Sequence, residues 1–187
     1  MTNTNLQLYY ATRDGQSRRI AAHIADRLGE HGMHTMPQDL EIVTPQPQNL
    51  GRASLLVLIA AVRYGRHLPE AEQLLKTYGD LTSRPPLVLA SVNLTARKPG
   101  KDTPEGNAYL RKLIARHALQ PAAATAIAGR LDYPRYTWWD RQIIRFIMLL
   151  TGGPTDPAAA VEYTEWHAVD ALATRIAELQ HATAEQA

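Results

Sequence analysis

The sequence predicts an α/β fold, an open parallel sheet with helices on both faces. Three observations carry that expectation. Two continuous apolar runs of strand length, Ala53–Val62 and Leu87–Val92, fit central parallel strands covered on both sides. Strand and helix signals alternate along most of the chain. The stretch Leu6–Leu28 reads as a short strand, a tight polar turn and an amphipathic helix, with Ile20, Ile24 and Leu28 on one helical face.

Taken in order, the first strand covers Leu6 to Tyr10, and the turn from Thr12 to Ser17 leads into the first helix. Gly29 and Gly32 stop that helix. A short second strand is expected near Thr35 or over Leu40–Val43. After the third strand, Ala53–Val62, the stretch Arg63–His67 reads as a loop and Pro69 opens a helix to about Tyr78. Arg84-Pro-Pro86 turns the chain into the fourth strand, Leu87–Val92. A loop over Asn93–Thr103 follows, Pro104 introduces a helix to about Ala118, and Ala122–Ala128 reads as a fifth strand of low bulk. The last helix, from about Glu165 to Gln180, turns Trp166, Val169, Ala173, Ile176 and Leu179 inward. Connections between the parallel strands should be right-handed.

One segment, 130–160, breaks the alternation. At helical spacing over about 138–150, Trp139, Ile143, Phe146, Ile147 and Leu150 share a face, while Asp140, Arg141 and Arg145 lie opposite. A helix of that length is roughly 20 Å long, too short to span a bilayer. Its pattern fits a helix lying in a membrane interface. It fits equally well a helix packed on its own domain or on a twin subunit, and the pattern does not choose between them.

Composition bounds the chemistry. At 187 residues, with 45% hydrophobic and 20% charged side chains, the chain is long enough for one globular domain with a substantial core. No apolar run is long enough for a spanning helix and no export signal is expected at the N-terminus. The absence of cysteine excludes disulfides, thiolate metal sites, iron–sulfur clusters and a cysteine nucleophile, so redox chemistry would need a bound organic cofactor. From Arg63 to Arg145 fourteen Lys and Arg stand against seven Asp and Glu, although the whole chain carries only +2. Such asymmetry points to an anionic ligand, a membrane surface or nucleic acid, or to charge dispersed over the surface. The seven histidines show no metal-ligand spacing, so no metal is expected.

In an open parallel sheet, ligands sit beyond the carboxyl ends of the strands. Three loops should meet there: Thr12, Arg13, Asp14, Gly15, Gln16 and Ser17 after strand one; Val62, Arg63, Tyr64 and Gly65 after strand three; Ser91, Val92 and Asn93 after strand four. The first loop opens a helix, so its backbone N–H groups lie at the positive end of the helix dipole and make an anion cradle. It lacks both the Gly-Lys-Ser/Thr ending of nucleotide-triphosphate loops and the three spaced glycines of dinucleotide folds. A phosphate on the first loop and a planar ring between the other two describe a mononucleotide site, with Tyr64 offering a ring face. An ordinary capped helix, an ordinary loop tyrosine and a turn asparagine at Asn93 explain the same residues without a ligand.

These loops, in this order, resemble the flavodoxin-like fold, a three-layer sandwich whose five-stranded parallel sheet has the order 2-1-3-4-5. More specifically, the chain resembles the flavodoxin-like, quinone-dependent protoporphyrinogen IX dehydrogenases of bacterial haem synthesis. The residues that carry this are Thr12-Arg-Asp-Gly-Gln-Ser17, Arg63-Tyr-Gly65, Ser91-Val-Asn-Leu-Thr-Ala-Arg-Lys-Pro99 with Thr103-Pro104, Tyr133-Pro-Arg-Tyr136, Trp139-Asp-Arg141, Gly152-Gly153 and Tyr163-Thr-Glu-Trp166. The resemblance covers nearly the whole chain. It implies a single domain that binds FMN on the three loops. It implies three successive two-electron oxidations of protoporphyrinogen IX to the porphyrin, with electrons passed to menaquinone or ubiquinone. It makes 130–160 an insertion that splits strand five, which would resume near Val161, and gives that insertion a role in substrate or membrane contact. Arg97, Lys98 and Arg135 become candidates for propionate or lipid-phosphate contacts, and Trp139, Arg141, Ile143, Phe146 and Ile147 for membrane or substrate contact. The expected place is the cytoplasmic face of the inner membrane, held peripherally, with no nucleic-acid partner and with a homo-oligomer still open. No catalytic acid or base stands out. Two features depart from the family pattern: Ser17 replaces a usual threonine, keeping the hydroxyl, and Thr155–Ala160 is less charged. A soluble flavodoxin-type electron carrier and an FMN-dependent NAD(P)H:quinone reductase are the alternative functions.

Overall fold

The computed structural model describes residues 5–135, 137–151, 155, 156, 158 and 160–185, and at Arg135, Asp140, Ile147, Leu150 and Thr151 it describes the backbone only. Tyr136 and Gly152–Pro154 lie outside the described residues. Five strands run parallel: β1 (Leu6–Ala11), β2 (Gln38–Asp39), β3 (Leu55–Arg63), β5 (Leu87–Val92) and β6 (Ala123–Ile127), ordered β2-β1-β3-β5-β6. This is the 2-1-3-4-5 order of the resemblance. The two-residue β4 (Arg66–His67) folds back antiparallel on β3.

Side-chain alternation along β3 builds both halves of the core, because successive residues of a strand point to opposite faces. Leu55, Val57 and Ile59 pack with Ile20, Ile24 and Leu28 of helix α1 (Gln16–Glu30) and with Val169, Ala173 and Ile176 of α6 (Trp166–Glu185). Leu56, Leu58 and Ala60 pack with Leu74 and Leu75 of α3 (Pro69–Gly79) and with Leu110 and Leu113 of α4 (Ala108–Arg116). A five-residue helix, α2 (Pro47–Gly51), precedes β3 and buries Leu50. Each large aliphatic side chain so buried contributes roughly 1.5–3 kcal/mol.

Within the main sheet and its helices, three expectations change. The second strand falls at Gln38–Asp39, between the two places anticipated, where the backbone meets Tyr9 and Tyr10 at the edge of the sheet. Arg63–His67 is a hairpin rather than a loop. Tyr64 and Gly65 both have positive φ, 51° and 77°, the combination that lets a two-residue turn follow the twist of its strands. Helix α4 starts at Ala108 instead of Pro104, because the side-chain oxygen of Asn107 accepts from the N–H groups of Tyr109 (3.1 Å) and Leu110 (3.2 Å) and caps the helix there.

Beyond β6 the chain leaves the main sheet as β7 (Arg130–Asp132), makes a helical turn at Tyr133–Arg135, runs through α5 (Trp138–Thr151) and returns as β8 (Ala160–Glu162). The return near Val161 takes a different partner from the one anticipated. β8 pairs antiparallel with β7, and Tyr163 N–H donates to Gly129 O at 3.1 Å, so the segment closes on its own first strand. Helix α5 is apolar on two sides. Met148 is buried with Leu131 and Tyr133, and Ile144 packs against them. Trp138, Trp139, Ile143, Phe146 and Leu149 face outward, from 44% exposed at Ile143 to 71% at Trp139. Among the described residues no helix is long and apolar enough to cross a membrane.

Candidate functional site

The carboxyl ends of β1, β3 and β5 open on one cleft, and the three predicted loops meet in it. The first loop is shaped by its own side chains. Gly15 N–H donates to Thr12 Oγ1 (2.9 Å), and Gly15 takes a left-handed φ of 84°, turning the chain into α1. Gly15 makes no side-chain cap, so the first N–H groups of α1 stay available to a ligand. Ser17 lines the cleft. Its Oγ is fully buried and has no hydrogen-bond partner among the described residues, an arrangement that costs about 1–3 kcal/mol unless something binds it. An anionic oxygen at this helix N-terminus would satisfy the hydroxyl and the free N–H groups together.

Electrostatics around the cradle are already organised. Arg13 reaches Glu70 at 2.5 Å and Glu41 at 3.7 Å, and Arg63 pairs with Asp14 at 3.1 Å. Burial pushes the Glu70 carboxyl upward. The hydrogen bond from Arg13, a helix-start backbone N–H and the charge of Arg13 outweigh it and hold Glu70 below the usual carboxylate range. Arg63 also lies 5.3 Å from the centre of the Tyr64 ring, which stands half exposed at the cleft mouth.

The third loop is held from behind by a buried polar network. His67 Nε2 and Ser91 Oγ are 2.8 Å apart, and Asn93 Nδ2 donates to the same Ser91 oxygen at 3.0 Å. Asn93 Oδ1 accepts from Asn107 Nδ2 (3.1 Å) and from Ala96 N–H (3.1 Å). Burial drives the His67 pKa down to about 4, helped by the charges of Arg116 and His117 and opposed by Glu72. A neutral imidazole therefore supports the loop. Ser91 is fully buried in this network instead of lining the cleft, and acts through Asn93, which does line it with Val92.

The other candidates divide. Thr12, Arg13, Asp14, Gln16, Val62, Arg63, Tyr64 and Gly65 line the cleft. Gln16 is turned aside: its Nε2 donates to Thr164 Oγ1 (2.8 Å) and Glu162 Oε1 (3.2 Å). Arg97 lines the cleft, donates to Leu94 O at 2.6 Å and sits 5.6 Å from the Tyr163 ring centre, whereas Lys98 is exposed outside it. Arg141 is half-buried on α5. The side chains of Arg135 and Ile147 lie outside the described residues. Sequence reasoning missed Tyr109, Arg130, Ile144 and Met148, which complete the walls of the cleft. It also missed His67 and Asn107, which support the third loop from behind. Ile144 and Met148 had a legible signal, being the second apolar stripe of a helix whose first stripe was already assigned. Among the described residues no cluster of His, Asp and Glu could hold a metal ion.

An anion cradle with an unfilled hydroxyl, an aromatic at the mouth and an apolar wall suit a phosphorylated planar cofactor better than a metal or a sugar. Comparison with known proteins identifies the class: residues 7–158 match the flavodoxin domain, and the chain belongs to that family. A flavin is the cofactor this membership supports. Within the family, the chain is 39% identical over 173 residues to the protoporphyrinogen IX dehydrogenase [quinone] of Escherichia coli K12, covering 92% of this chain and 94% of that one. A protein of the same name from Leishmania major is 34% identical over 92% of this chain and 74% of its own. Among solved structures, a flavodoxin from the domain Archaea superposes with a TM-score of 0.50 at 11% identity, over 94% of this chain and 98% of that one. The rubredoxin oxygen:oxidoreductase of Desulfovibrio gigas superposes with a TM-score of 0.54 at 12% identity, and this chain spans 96% of its own length but 37% of that one. These two likenesses are of fold.

Proposed function

We propose that the protein is an FMN-dependent protoporphyrinogen IX dehydrogenase that passes electrons to a membrane quinone, menaquinone or ubiquinone. The observation that carries the reading is the match to relatives of that name over 92% of this chain. FMN supplies reversible two-electron chemistry when bound. The chain's own residues do the rest. The start of α1 and Ser17 hold the phosphate, and the Tyr64 turn with Asn93 bounds the ring site. Ile144 and Met148 keep water from one side and present an apolar wall to a flat, greasy substrate. Arg97 and Arg130, at the cleft wall, meet the two propionates, with Lys98 and Arg135 further candidates for propionate or lipid phosphate.

The outward face of α5 supports a peripheral position on the cytoplasmic face of the inner membrane. Five large apolar side chains there are exposed, and Trp138 and Trp139, packed edge to face with ring centres 4.6 Å apart, suit the headgroup boundary. Anaerobic mixing of the purified protein with protoporphyrinogen IX should give porphyrin fluorescence only when a quinone is added. Flavin bleaching by NAD(P)H, with no porphyrin formed, would replace this reading with a quinone reductase. A protein that holds no flavin would remove both.

A further inference from the structure

The geometry points to Glu162 as a positioning residue for the cofactor: on the return strand of the insertion, it holds the start of α1 in its binding arrangement and ties flavin retention to the seating of the insertion. The inference rests on the flavin reading of the cleft and assigns a role to a carboxylate that never enters it.

Both oxygens of Glu162 are engaged, each by a residue of α1 far away in sequence and one also by nearby Trp166. Oε1 accepts from Gln16 Nε2 (3.2 Å) and Trp166 Nε1 (3.1 Å), and Oε2 accepts from Arg19 Nη1 (2.9 Å). The same Arg19 nitrogen donates to Gln16 Oε1 at 3.1 Å, so the three side chains form a closed triangle. Gln16 is the residue on which the cradle turns: it opens α1, lines the cleft and is only 7% exposed, yet its amide is spent on Glu162 and Thr164. Thr164 in turn donates to Ala128 O at 2.7 Å, which fixes the return strand against the end of β6. Across the β7–β8 pair Glu162 stands opposite Arg130, which lines the cleft and whose guanidinium reaches Asp132 at 3.0 Å. The carboxylate thus braces the phosphate side of the cleft from the strand that pairs with Arg130. Burial opposes its ionisation, but the donors from Arg19, Gln16 and Trp166 and the charge of Arg19 keep its pKa below the ordinary value.

A tie between α1 and the C-terminal part of the chain would not by itself need this position. Asp170 already makes one, to His23 at 2.7 Å and Arg27 at 2.8 Å, farther along the helix and away from the cleft. Asp170 therefore serves as the internal control: it joins α1 to α6 without touching the cradle. Coupling is reciprocal, so a cofactor that settles the start of α1 also settles β8 and the helix leading to it.

The test uses the flavin-loaded full chain. Flavin release after dilution is followed by the rise of free-flavin fluorescence, and trypsin cleavage within α5 is followed with and without flavin. Glu162→Ala should speed release about tenfold, within the range typical of such couplings, with Glu162→Gln and Arg19→Gln showing smaller increases. Asp170→Asn should lower the melting temperature and leave release unchanged. Bound flavin should slow trypsin cleavage of α5 several-fold in the parent chain and not in Glu162→Ala. Release at the parent rate from the Glu162 variants, or equal acceleration by Asp170→Asn, would overturn the proposal. If Glu162→Ala does not fold, Glu162→Gln and Arg19→Gln decide it alone. A parent chain that retains no flavin is a separate result and fails the flavin reading itself.

Discussion

Ser17 shows in a single side chain how a binding site differs from a core. A hydroxyl buried at the first turn of α1 with nothing to bond destabilises the empty protein, and an apolar residue of the same size would fit better. Ser17→Ala should therefore raise the melting temperature of the flavin-free chain while weakening flavin binding. A hydrogen bond to a charged oxygen contributes about 1.5–3 kcal/mol, roughly ten- to a hundredfold in affinity. Calorimetry of the stripped protein and a fluorescence titration with FMN measure the two effects, and a fall in both would mark Ser17 as merely structural. The position of Ser17 was legible in the sequence, as the last residue of a polar turn that opens an amphipathic helix. The same turn also reads as an ordinary helix cap, and only the buried hydroxyl separates the two. Ser91 was legible only as a position. Its side chain serves His67 and Asn93, and that partnership depends on β4 folding back, which a Tyr-Gly pair does not announce as strongly as Asn-Gly would. Asn107 was hidden for a related reason: Pro104 offered an earlier helix start, and only the packed loop reveals which residue caps α4.

Elements were legible wherever one periodicity had one explanation. The buried runs of β3 and β5 and the face of α1 fell where the pattern put them. Helix α5 was located by its pattern, but a pattern does not say which stripe meets the protein. The stripe of larger side chains, with Trp139, Ile143 and Phe146, faces outward, and the narrower one, with Ile144 and Met148, closes the cleft. The two stripes make opposite predictions. Replacing Ile143, Phe146 and Leu149 together with serine should abolish flotation with anionic liposomes and change the stability by no more than about 1 kcal/mol, since these side chains are largely in water. Met148→Ala should leave flotation intact and cost about 2–4 kcal/mol by opening a cavity beneath the helix. Flotation that survives the triple replacement would assign the outer face to a second copy of the chain, and a concentration-dependent change in size by light scattering would then separate the parent from the variant.

At the scale of the molecule, the sheet and the cleft at the carboxyl ends of its strands were legible because both follow from strand order. How the 130–160 segment closes was not legible, because β7 and β8 recognise each other through backbone pairing rather than side-chain pattern. The buried network behind the cleft also makes the whole fold sensitive to acid, in a window that its chemistry sets. Below pH 6.5 the unfolded chain takes up a proton on His67 that the folded protein refuses until about pH 4. Acid therefore favours the unfolded state across that interval, and stability falls as pH falls from 6.5 towards 4 before the contribution of His67 levels out. The interval corresponds to about 3 kcal/mol. Glu70, Glu162 and Asp170, whose pKa values are lowered, lose their contributions only as pH drops below the ordinary carboxylate values, so the range from pH 6.5 to 5 lies above them, and comparison with a His67 variant assigns the slope. Urea unfolding at half-unit steps across that range should show a slope in the parent chain that is flattened in His67→Gln, which keeps a polar nitrogen near Ser91 but cannot titrate. An equal slope in both proteins would mean that the proton is taken up elsewhere. If the flavin-loaded chain shows a steeper slope than the stripped one, the cofactor and the neutral imidazole support the same arrangement of Ser91 and Asn93, and acid should release flavin before it unfolds the sheet.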